Sequence, residues 1–304
     1  MATNGLAAAR EPVAVVERGE RRRRVVRLLR RMPITGLLGG LFLLVLVLAA
    51  ILAPFVTFYD PNKIDTAKQL APPSISQWFG TDQVGRDIFS RIIFGARYTL
   101  GASLVVCLIA ATAATAIAVV SGYFGGAADM AIQRVVDGWI AFPPFILLIA
   151  LISLLGPDLR NVIIVLSMAM AGPMSRVIRS NVLTVKETTY VEAARLLGAT
   201  HLRVIIFHVA PQVVPLVLIL ASIQLGSVVL VLAALGFLGY GVPPPAPEWG
   251  SMLSGRARDF MYSAWWLAFF PGLAISLAVL SLNLFFDSLR DMIDPRMRGT
   301  GRGL

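Results

Sequence analysis

Residues 209–239 read VAPQVVPLVLILASIQLGSVVLVLAALGFLG, a stretch of 31 residues without Asp, Glu, Lys, Arg or His. Apolar runs of about 18 residues or more with few charges are typical of membrane-spanning helices. At about 1.5 Å per residue this run would be about 46 Å long, whereas the hydrocarbon core of a bilayer is about 30 Å thick. We therefore predict a membrane helix that tilts, bends or protrudes, with Gly226 and Gly236 as the places where it could bend.

Further apolar runs extend this prediction to the whole chain. Of the 304 residues, 57% are apolar and 14% are charged, and the mean hydropathy is +0.77. Average soluble proteins have about 25% charged residues, so an ordinary soluble enzyme is excluded. The single Cys excludes a disulfide scaffold. The predicted fold class is all-α and polytopic, with six transmembrane helices in the runs 33–58, 98–121, 138–156, 161–178, 209–239 and 264–286.

The basic residues indicate how these spans are oriented. The net charge is +10, and nine Arg lie in residues 1–33. Since cytoplasmic segments carry the excess of Lys and Arg, both chain ends and the loop 179–208 are predicted to be cytoplasmic, with 59–97 and 240–263 outside. Charges that flank apolar runs argue for a lipid bilayer as the partner and against nucleic acid. The predicted location is therefore a cell membrane.

Two details bear on the segment boundaries and on the orientation of the spans. A cleaved signal peptide is the alternative for the first run, but its apolar core exceeds the roughly 7–15 residues of such a peptide. Arg256 and Arg258 disagree mildly with the orientation, because they fall in a predicted outer loop. The predicted segments are a cytoplasmic Arg-rich segment 1–33, a first transmembrane helix 34–58, an extracytoplasmic segment 59–97, a core of five helices 98–286 with a cytoplasmic loop 185–208, and a cytoplasmic tail 287–304.

The sequence contains no catalytic or metal-binding pattern. No Lys follows a Gly, so the chain lacks the GxxxxGK[ST] loop that binds nucleotide phosphates. His201 and His208 have no metal-ligand cluster around them, and no GxSxG motif occurs. The runs 98–121, 209–239 and 264–286 lack the ionisable residues that ion-coupled carriers usually place near the membrane midplane. We therefore predict a pore-forming subunit that is not an enzyme, with no catalytic residue, metal or cofactor of its own.

The cytoplasmic loop carries the most specific pattern, KETTYVEAARLLGATHLRVIIFHVAP at residues 186–211. Thr189 followed by Glu192 matches a capping box and predicts a short helix over 190–197. Gly198 suits the residue after that helix, where a positive φ costs little. Thr200 can cap a second short helix that ends before Pro211. On these grounds alone, docking into another protein and lying on lipid are both open.

A family resemblance favours docking. Glu192-Ala193-Ala194 with Gly198 and Pro211 resembles the EAA loop of ABC importer permeases, and it stands before the next-to-last span as it does there. The resemblance implies that the loop forms coupling helices that dock into separate ATPase subunits. The residues to which it assigns this coupling role are Glu192, Ala193, Ala194, Arg195, Gly198 and Thr200.

A second set of motifs resembles one branch of that family. The segment from Gly80 to Arg97, the residues 122–126 and 247–253, and the stretch from Leu282 to Arg296 resemble the C-type permease of the dipeptide/oligopeptide/nickel branch. The extracytoplasmic residues that carry this likeness are Gly80, Thr81, Asp82, Gly85, Arg86 and Asp87.

The outer segments admit simpler interpretations as well. Asp87 and Arg91 are four residues apart and are predicted to form a solvated ion pair on one helical face, with contact to a binding protein as the alternative. Trp249, Trp265 and Trp266 flank the last span and are predicted to anchor it at the membrane interface.

The resemblance also implies an assembly. It implies a fold similar to type I ABC importer permeases in the cell (inner) membrane, a second and non-identical permease, two ATPase subunits that carry ATP and Mg, and an extracytoplasmic binding protein. The implied substrates are di- and oligopeptides. Nickel or glutathione import within the same branch is the alternative, and an ion-coupled carrier is the other alternative.

Overall fold

The computed structural model describes residues 32–254, 259–260 and 262–293. Within these residues the chain is built of α-helices and contains no β-strand, so the all-α prediction is confirmed. The Arg-rich segment up to residue 31, the tail from residue 294, and Arg256 and Arg258 lie outside the described residues.

The helices are numbered here in chain order. They are α1 (Ile34–Ile51), α2 (Ala53–Val56), α3 (Ile88–Phe124), α4 (Gly126–Ala141), α5 (Pro144–Leu155), α6 (Leu159–Lys186), α7 (Thr189–Leu196), α8 (His201–Val204), α9 (Ala210–Phe237), α10 (Trp249–Met252) and α11 (Trp266–Ile293). A 3₁₀ turn lies at Thr66–Lys68, and a π-helical turn at Ile205–Val209 joins α8 to α9.

The predicted third span, 138–156, is not one straight helix. In the described part of the chain, five helices are long and apolar enough to cross a membrane, and α4 with α5 makes a sixth only as a pair bent by 92°. The break lies at Phe142 and Pro143, where Phe142 is extended with ψ of 139°. A residue before proline is driven out of the α conformation, and Pro143 and Pro144 follow each other here. The chain is a multi-pass membrane protein, and in its described residues the bent pair of α4 and α5 has the form of either a broken span or a re-entrant loop.

Several helices extend beyond their predicted bounds; α6, predicted over 161–178, spans Leu159–Lys186. α3 begins at Ile88, ten residues before the predicted 98, because Asp87 caps it: Asp87 Oδ2 accepts hydrogen bonds from Ser90 N at 2.8 Å and Ser90 Oγ at 2.6 Å. With 37 residues, α3 is about 55 Å long. The last helix continues to Ile293, past the predicted end of the core at 286. Residues 88–97, which fall within the predicted segment 59–97, therefore belong to α3.

Small residues let the helices pack closely. α3 packs along α6 with a buried stripe of Ala110, Ala114 and Ala118. In lipid, helices associate mainly by such close packing. Gly226 and Gly236 serve the same purpose: a side chain at Gly226 would collide with Asn283, and one at Gly236 with Glu248. α9 is continuous through Gly226 and ends at Phe237, one residue after Gly236, so neither glycine interrupts the helix.

The helices define two ends of the bundle. Lys186 Nζ donates to Gly122 O at 2.8 Å, which brings together the C-terminal ends of α3 and α6 beside residues 185–208; we call this the loop end. At the opposite end, the Arg97 guanidinium donates to Ile51 O at 2.8 Å. The start of α1 packs on the last turns of α11, where Gly36 lies against Ser288. Both described chain ends therefore lie at the loop end.

Candidate coupling site at the loop end of the bundle

The first short helix of the loop begins one residue earlier than predicted. Thr188 is its N-cap residue, with φ of −74° and ψ of 146°, and its carbonyl accepts a hydrogen bond from Glu192 N at 3.1 Å. Thr188 Oγ1 donates instead to Val185 O at 2.6 Å. Because Thr189 is already helical, Glu192 stands one position beyond the place that a capping box requires. The predicted capping box is therefore wrong, and the Glu192 side chain is exposed.

The turn after α7 is confirmed as a glycine turn. Gly198 has φ of +81°. Its N–H donates to Arg195 O at 2.9 Å, and Ala199 N donates to Ala194 O at 3.1 Å. These two bonds define a Schellman motif, in which the residue after the helix takes the left-handed conformation. No heavy atom lies within 4 Å of a Cβ placed on Gly198. Glycine is required here by backbone conformation and not by crowding.

The second short helix does not end before Pro211. Thr200 caps it as predicted, since Thr200 Oγ1 accepts from Arg203 N at 3.4 Å. The helix then passes through the π-helical turn, where Ala210 N donates to Ile205 O. Pro211 has no N–H to donate, and the wider turn lets the chain continue into α9 without one. The result is one helix of 37 residues from His201 to Phe237.

The loop is anchored on one side and open on the other. Val191, Val204 and Val209 are fully buried in a core cluster that includes Ala118 and Val182. The opposite side exposes charged and large apolar side chains together. The exposed residues include Glu192, Ala193, Arg195, Leu196, Leu197, Leu202 and Phe207, with Leu196 and Leu197 83% and 88% exposed. Of these residues, Arg195 also packs against the chain itself, because its guanidinium lies over the Tyr123 ring.

An ion pair that the sequence did not single out supports the same end of the bundle. Arg179 of α6 donates to both oxygens of Asp129 in α4, with Nε 2.7 Å from Oδ1. Asp129 also accepts from Ser121 Oγ of α3, and Gln133 Nε2 donates to that hydroxyl at 2.9 Å. The 50 residues between Asp129 and Arg179 leave no local pattern by which the pair could be predicted.

At the opposite end, the predicted family residues form a folded cap. Asp82 Oδ1 accepts from Val84 N and Arg86 N at 3.0 and 2.9 Å, while Arg86 Nε donates to Oδ2 at 2.6 Å. Thr81 Oγ1 accepts from Ala71 N at 2.8 Å. Gly80 and Gly85 have positive φ, and any side chain at Gly85 would collide with Asp65 O. The structure thus brings these residues together, and it gives each of them a structural part in the cap.

The predicted pair between Asp87 and Arg91 is wrong. Asp87 is used as the N-cap of α3, and the nearest carboxylate to Arg91 is Asp82, with Nε and Oδ2 3.8 Å apart. Arg91 Nη1 also donates to Pro61 O at 2.9 Å and Pro245 O at 3.3 Å. Arg91 is 4% exposed, so its buried guanidinium joins two separate segments of the cap instead of forming a solvated surface pair.

Two of the three predicted anchoring tryptophans are buried. Trp249 Nε1 donates to Ile92 O at 2.9 Å, and Trp266 Nε1 donates to Thr81 O at 3.1 Å. Their exposed fractions are 0% and 7%, so interfacial anchoring is wrong for both. Trp265 is 54% exposed and keeps that interpretation. Trp78, 53% exposed and packed against Phe58, is a second interfacial candidate that the sequence reasoning missed.

Glu248 closes the cap over α9. Its two carboxylate oxygens accept from Gly250 N and Ser251 N, each at 2.7 Å, which caps α10. The side chain is almost fully buried against Gly236. Burial raises the pKa of Glu248 above its ordinary value of 4.5, and the two backbone bonds oppose that rise.

Comparison with known proteins agrees with the family resemblance. Residues 114–299 match the family described as binding-protein-dependent transport system inner membrane component. Residues 23–73 match the N-terminal TM domain of oligopeptide transport permease C. These two matches together cover most of the chain.

Curated relatives cover nearly the whole length. A probable D,D-dipeptide transport system permease protein of Escherichia coli (strain K12) is 37% identical over 91% of this chain and 92% of its own. A dipeptide transport system permease protein of Alkalihalophilus pseudofirmus is 38% identical over 86% of both chains. A glutathione transport system permease protein of Pectobacterium atrosepticum is also 38% identical over 86% of both. The chain belongs to the family of binding-protein-dependent transport system inner membrane components.

Proposed function

We propose that this chain is one of two non-identical permease subunits of an ATP-driven importer, and that it carries di- and oligopeptides. The relatives named as peptide and dipeptide permeases support the substrate class. The observation that carries the mechanism is the coupling loop, residues 185–208, whose first short helix exposes Glu192 and Leu196 and whose second exposes Leu202 at one end of the bundle. Such a surface of apolar side chains beside charged ones suits docking into a protein groove.

The partners follow from the same proposal. Two ATPase subunits hold ATP and Mg and dock on the coupling loop, where Glu192, Ala193, Ala194, Arg195, Gly198 and Thr200 form or shape the contact. The second permease completes the pathway, and an extracytoplasmic binding protein delivers the peptide at the end that carries the cap. This chain supplies no catalytic residue, metal or cofactor.

The proposed orientation places the loop end in the cytoplasm. The nine Arg of residues 1–33 support it, because cytoplasmic segments carry the basic excess. Cysteine labelling tests it, since Asn62, Pro245 and Thr200 are all exposed. A membrane-impermeant reagent added outside should label a Cys at position 62 or 245 and should not label one at 200. Outside labelling at 200 would refute both the orientation and the docking.

Reconstitution tests the energy source. In liposomes, the purified chain alone should show neither ATP hydrolysis nor peptide uptake. Addition of the second permease, the two ATPases and the binding protein should give uptake of a labelled dipeptide that requires ATP. Uptake by this chain alone, driven by an ion gradient, would refute the proposal.

Glutathione is the second candidate substrate. The relative named as a glutathione permease is as similar to this chain as the dipeptide permease is. Competition in the same reconstituted complex separates the two: excess unlabelled dipeptide should suppress uptake of labelled dipeptide, and glutathione should not. Stronger competition by glutathione would transfer the proposal to that substrate.

A further inference from the structure

One tyrosine at the end of α3 contacts both short helices of the coupling loop. Tyr123 is 6% exposed, and its Oη lies 3.0 Å from Nδ1 of His201, the first residue of α8. The two rings pack edge to face, with centroids 5.7 Å apart. The Arg195 guanidinium of α7 lies over the face of the same Tyr123 ring, 4.9 Å from its centroid. We call Tyr123, Arg195 and His201 the Tyr123 cluster.

Contacts between the last turn of α3 and the end of α6 fix the backbone position of Tyr123. Lys186 Nζ donates to Gly122 O, so the last turn of α3 is tied to the end of α6. Gly122 packs against Val182 closely enough that a Cβ there would lie 2.9 Å from Val182 Cγ1. Tyr123 therefore projects from a turn that two helices hold in place. A side chain that starts from a fixed turn can orient the groups that it contacts.

The other attachments of the loop are less directional. Val191 and Val204 bury apolar area, and apolar contacts fix distance better than orientation. Tyr190 Oη lies 3.5 Å from His208 O, at the long limit for a hydrogen bond. Beside the Gly198 turn, the Tyr123 cluster therefore links the three helices directionally: a hydrogen bond joins α3 to α8, and a cation–π interaction joins α3 to α7.

We propose that Tyr123 is a positioning residue, which sets the angle between the two coupling helices and passes their movement to α3. This inference rests on the proposed function, since it concerns how the docked loop is linked to the pathway. Movement of α7 at an ATPase surface displaces Arg195, and movement of α8 displaces His201. Both displacements act on the same ring, and through it on a helix that crosses the whole bundle.

Variants of the two partners separate positioning from packing. Tyr123→Phe keeps the ring beneath Arg195 and removes the hydroxyl that meets His201. His201→Leu removes the same bond from the other side, whereas His201→Asn keeps an amide that can serve as donor or acceptor at that position. Tyr98→Phe is the matched control, because it makes the same chemical change in the same helix, about 37 Å away.

The experiment compares the reconstituted complexes for peptide taken up per ATP hydrolysed. A net hydrogen bond corresponds to about a two- to tenfold change in an equilibrium. We expect that Tyr123→Phe and His201→Leu each lower the ratio by about two- to tenfold, with ATP hydrolysis retained. We expect no further loss in the double variant, because both changes remove one shared contact. His201→Asn and Tyr98→Phe should keep the wild-type ratio.

A second measurement does not depend on the substrate. Hydrogen exchange of the purified complex should rise about two- to tenfold at amides 189–204 in Tyr123→Phe, and stay unchanged at 80–87. Unchanged exchange and an unchanged ratio in Tyr123→Phe would overturn the positioning role. An equal loss in His201→Asn and His201→Leu would also overturn it, because the hydrogen bond would then not be the cause. If the wild-type complex takes up no peptide, the proposed substrate fails, and the exchange result alone decides the role of Tyr123.

Discussion

Substitution of Gly198 by valine tests whether the turn between α7 and α8 couples ATP hydrolysis to transport. Gly198 has φ of +81°, and a Cβ placed there has no heavy atom within 4 Å. Any effect therefore comes from backbone strain and not from a steric collision with neighbours. A residue with a Cβ costs about 1–2 kcal/mol in the left-handed region, and a β-branched one is a stronger outlier there.

That cost sets the size of the expected effect. About 1–2 kcal/mol corresponds to roughly a 5- to 30-fold shift between the native turn and relaxed alternatives. We expect Gly198→Val to insert normally into the membrane and to let the ATPases hydrolyse ATP. Uptake per ATP should fall by roughly that factor, because α7 and α8 no longer hold their native angle.

The chain contains a close match for the control. Gly239 has φ of +88° and ends α9 at the opposite end of the bundle, and a Cβ placed on it also has no heavy atom within 4 Å. Its N–H donates to Gly236 O at 3.0 Å, and Tyr240 N donates to Leu235 O at 2.8 Å, so it is a second Schellman turn. Gly239→Val should lower the thermal stability of the purified chain by about as much as Gly198→Val.

Comparison of Gly198→Val with Gly239→Val separates the effect of where the turn lies from the effect of backbone strain itself. Both variants are reconstituted with the partner subunits and assayed for ATP hydrolysis and peptide uptake. Only Gly198→Val should lose uptake per ATP. Equal losses in both variants would mean that general destabilisation is the cause, and full transport by Gly198→Val would show that this turn is not part of the coupling element.

Three further predictions follow from other contacts. Glu192→Gln should change the free energy of unfolding by less than about 0.5 kcal/mol, because Glu192 is exposed and caps nothing. Lower ATP-dependent uptake by this variant would then show that docking needs the negative charge of Glu192, and full uptake would show that it does not. Asp129→Asn should lower the free energy of unfolding, measured by thermal unfolding, by about 1.5–3 kcal/mol, since the carboxylate binds Arg179 and Ser121 and its side chain is only 15% exposed. Asp137→Asn is the control and should lower it by about 0–1 kcal/mol, because Asp137 is 47% exposed and its partner Arg176 is 45% exposed. The raised pKa of Glu248 means that the folded state binds its proton more tightly than the unfolded state, so thermal stability should fall as pH rises from 4.5 through the raised pKa; Glu248→Gln should flatten that fall, and an identical pH dependence would contradict the assignment.

The spans could be predicted because lipid imposes one requirement over many consecutive residues. A helix in a bilayer needs about 20 apolar residues, so the run 209–239 is visible without knowledge of its neighbours. The same rule does not locate helix ends. α3 begins at Ile88 because Asp87 caps it, and the polar residues between 88 and 97 hide this start from a search for apolar runs.

Breaks and caps were harder to predict, because single backbone positions decide them. The Thr189–Glu192 spacing fits a capping box, yet a start one residue earlier at Thr188 moves Glu192 out of reach. Pro211 predicts a helix end, yet a π-helical turn absorbs its missing N–H. Gly198 was predictable because a positive φ after a short helix is a local requirement that glycine meets at little cost.

Contacts between distant segments have no signature in the sequence. Trp249 near the end of a span looks the same whether it faces lipid or donates to Ile92 O, 157 residues away. Tyr123 and His201 are 78 residues apart, and the motifs in which they stand, 122–126 and 186–211, do not indicate that the two side chains meet. Only the packing of α3 against the coupling loop brings them together.

The π-helical turn at Ile205–Val209 has a mechanical consequence. Because it joins α8 to α9 without a break, the part of the coupling loop after Thr200 and the whole next crossing form one lever of 37 residues, His201 to Phe237. Such a lever is about 55 Å long, so a tilt of about 5° about its start at the loop end would sweep the far tip through about 5 Å. That displacement is comparable to the rise of one helical turn, and at Phe237 it would act directly under the cap that Glu248 closes.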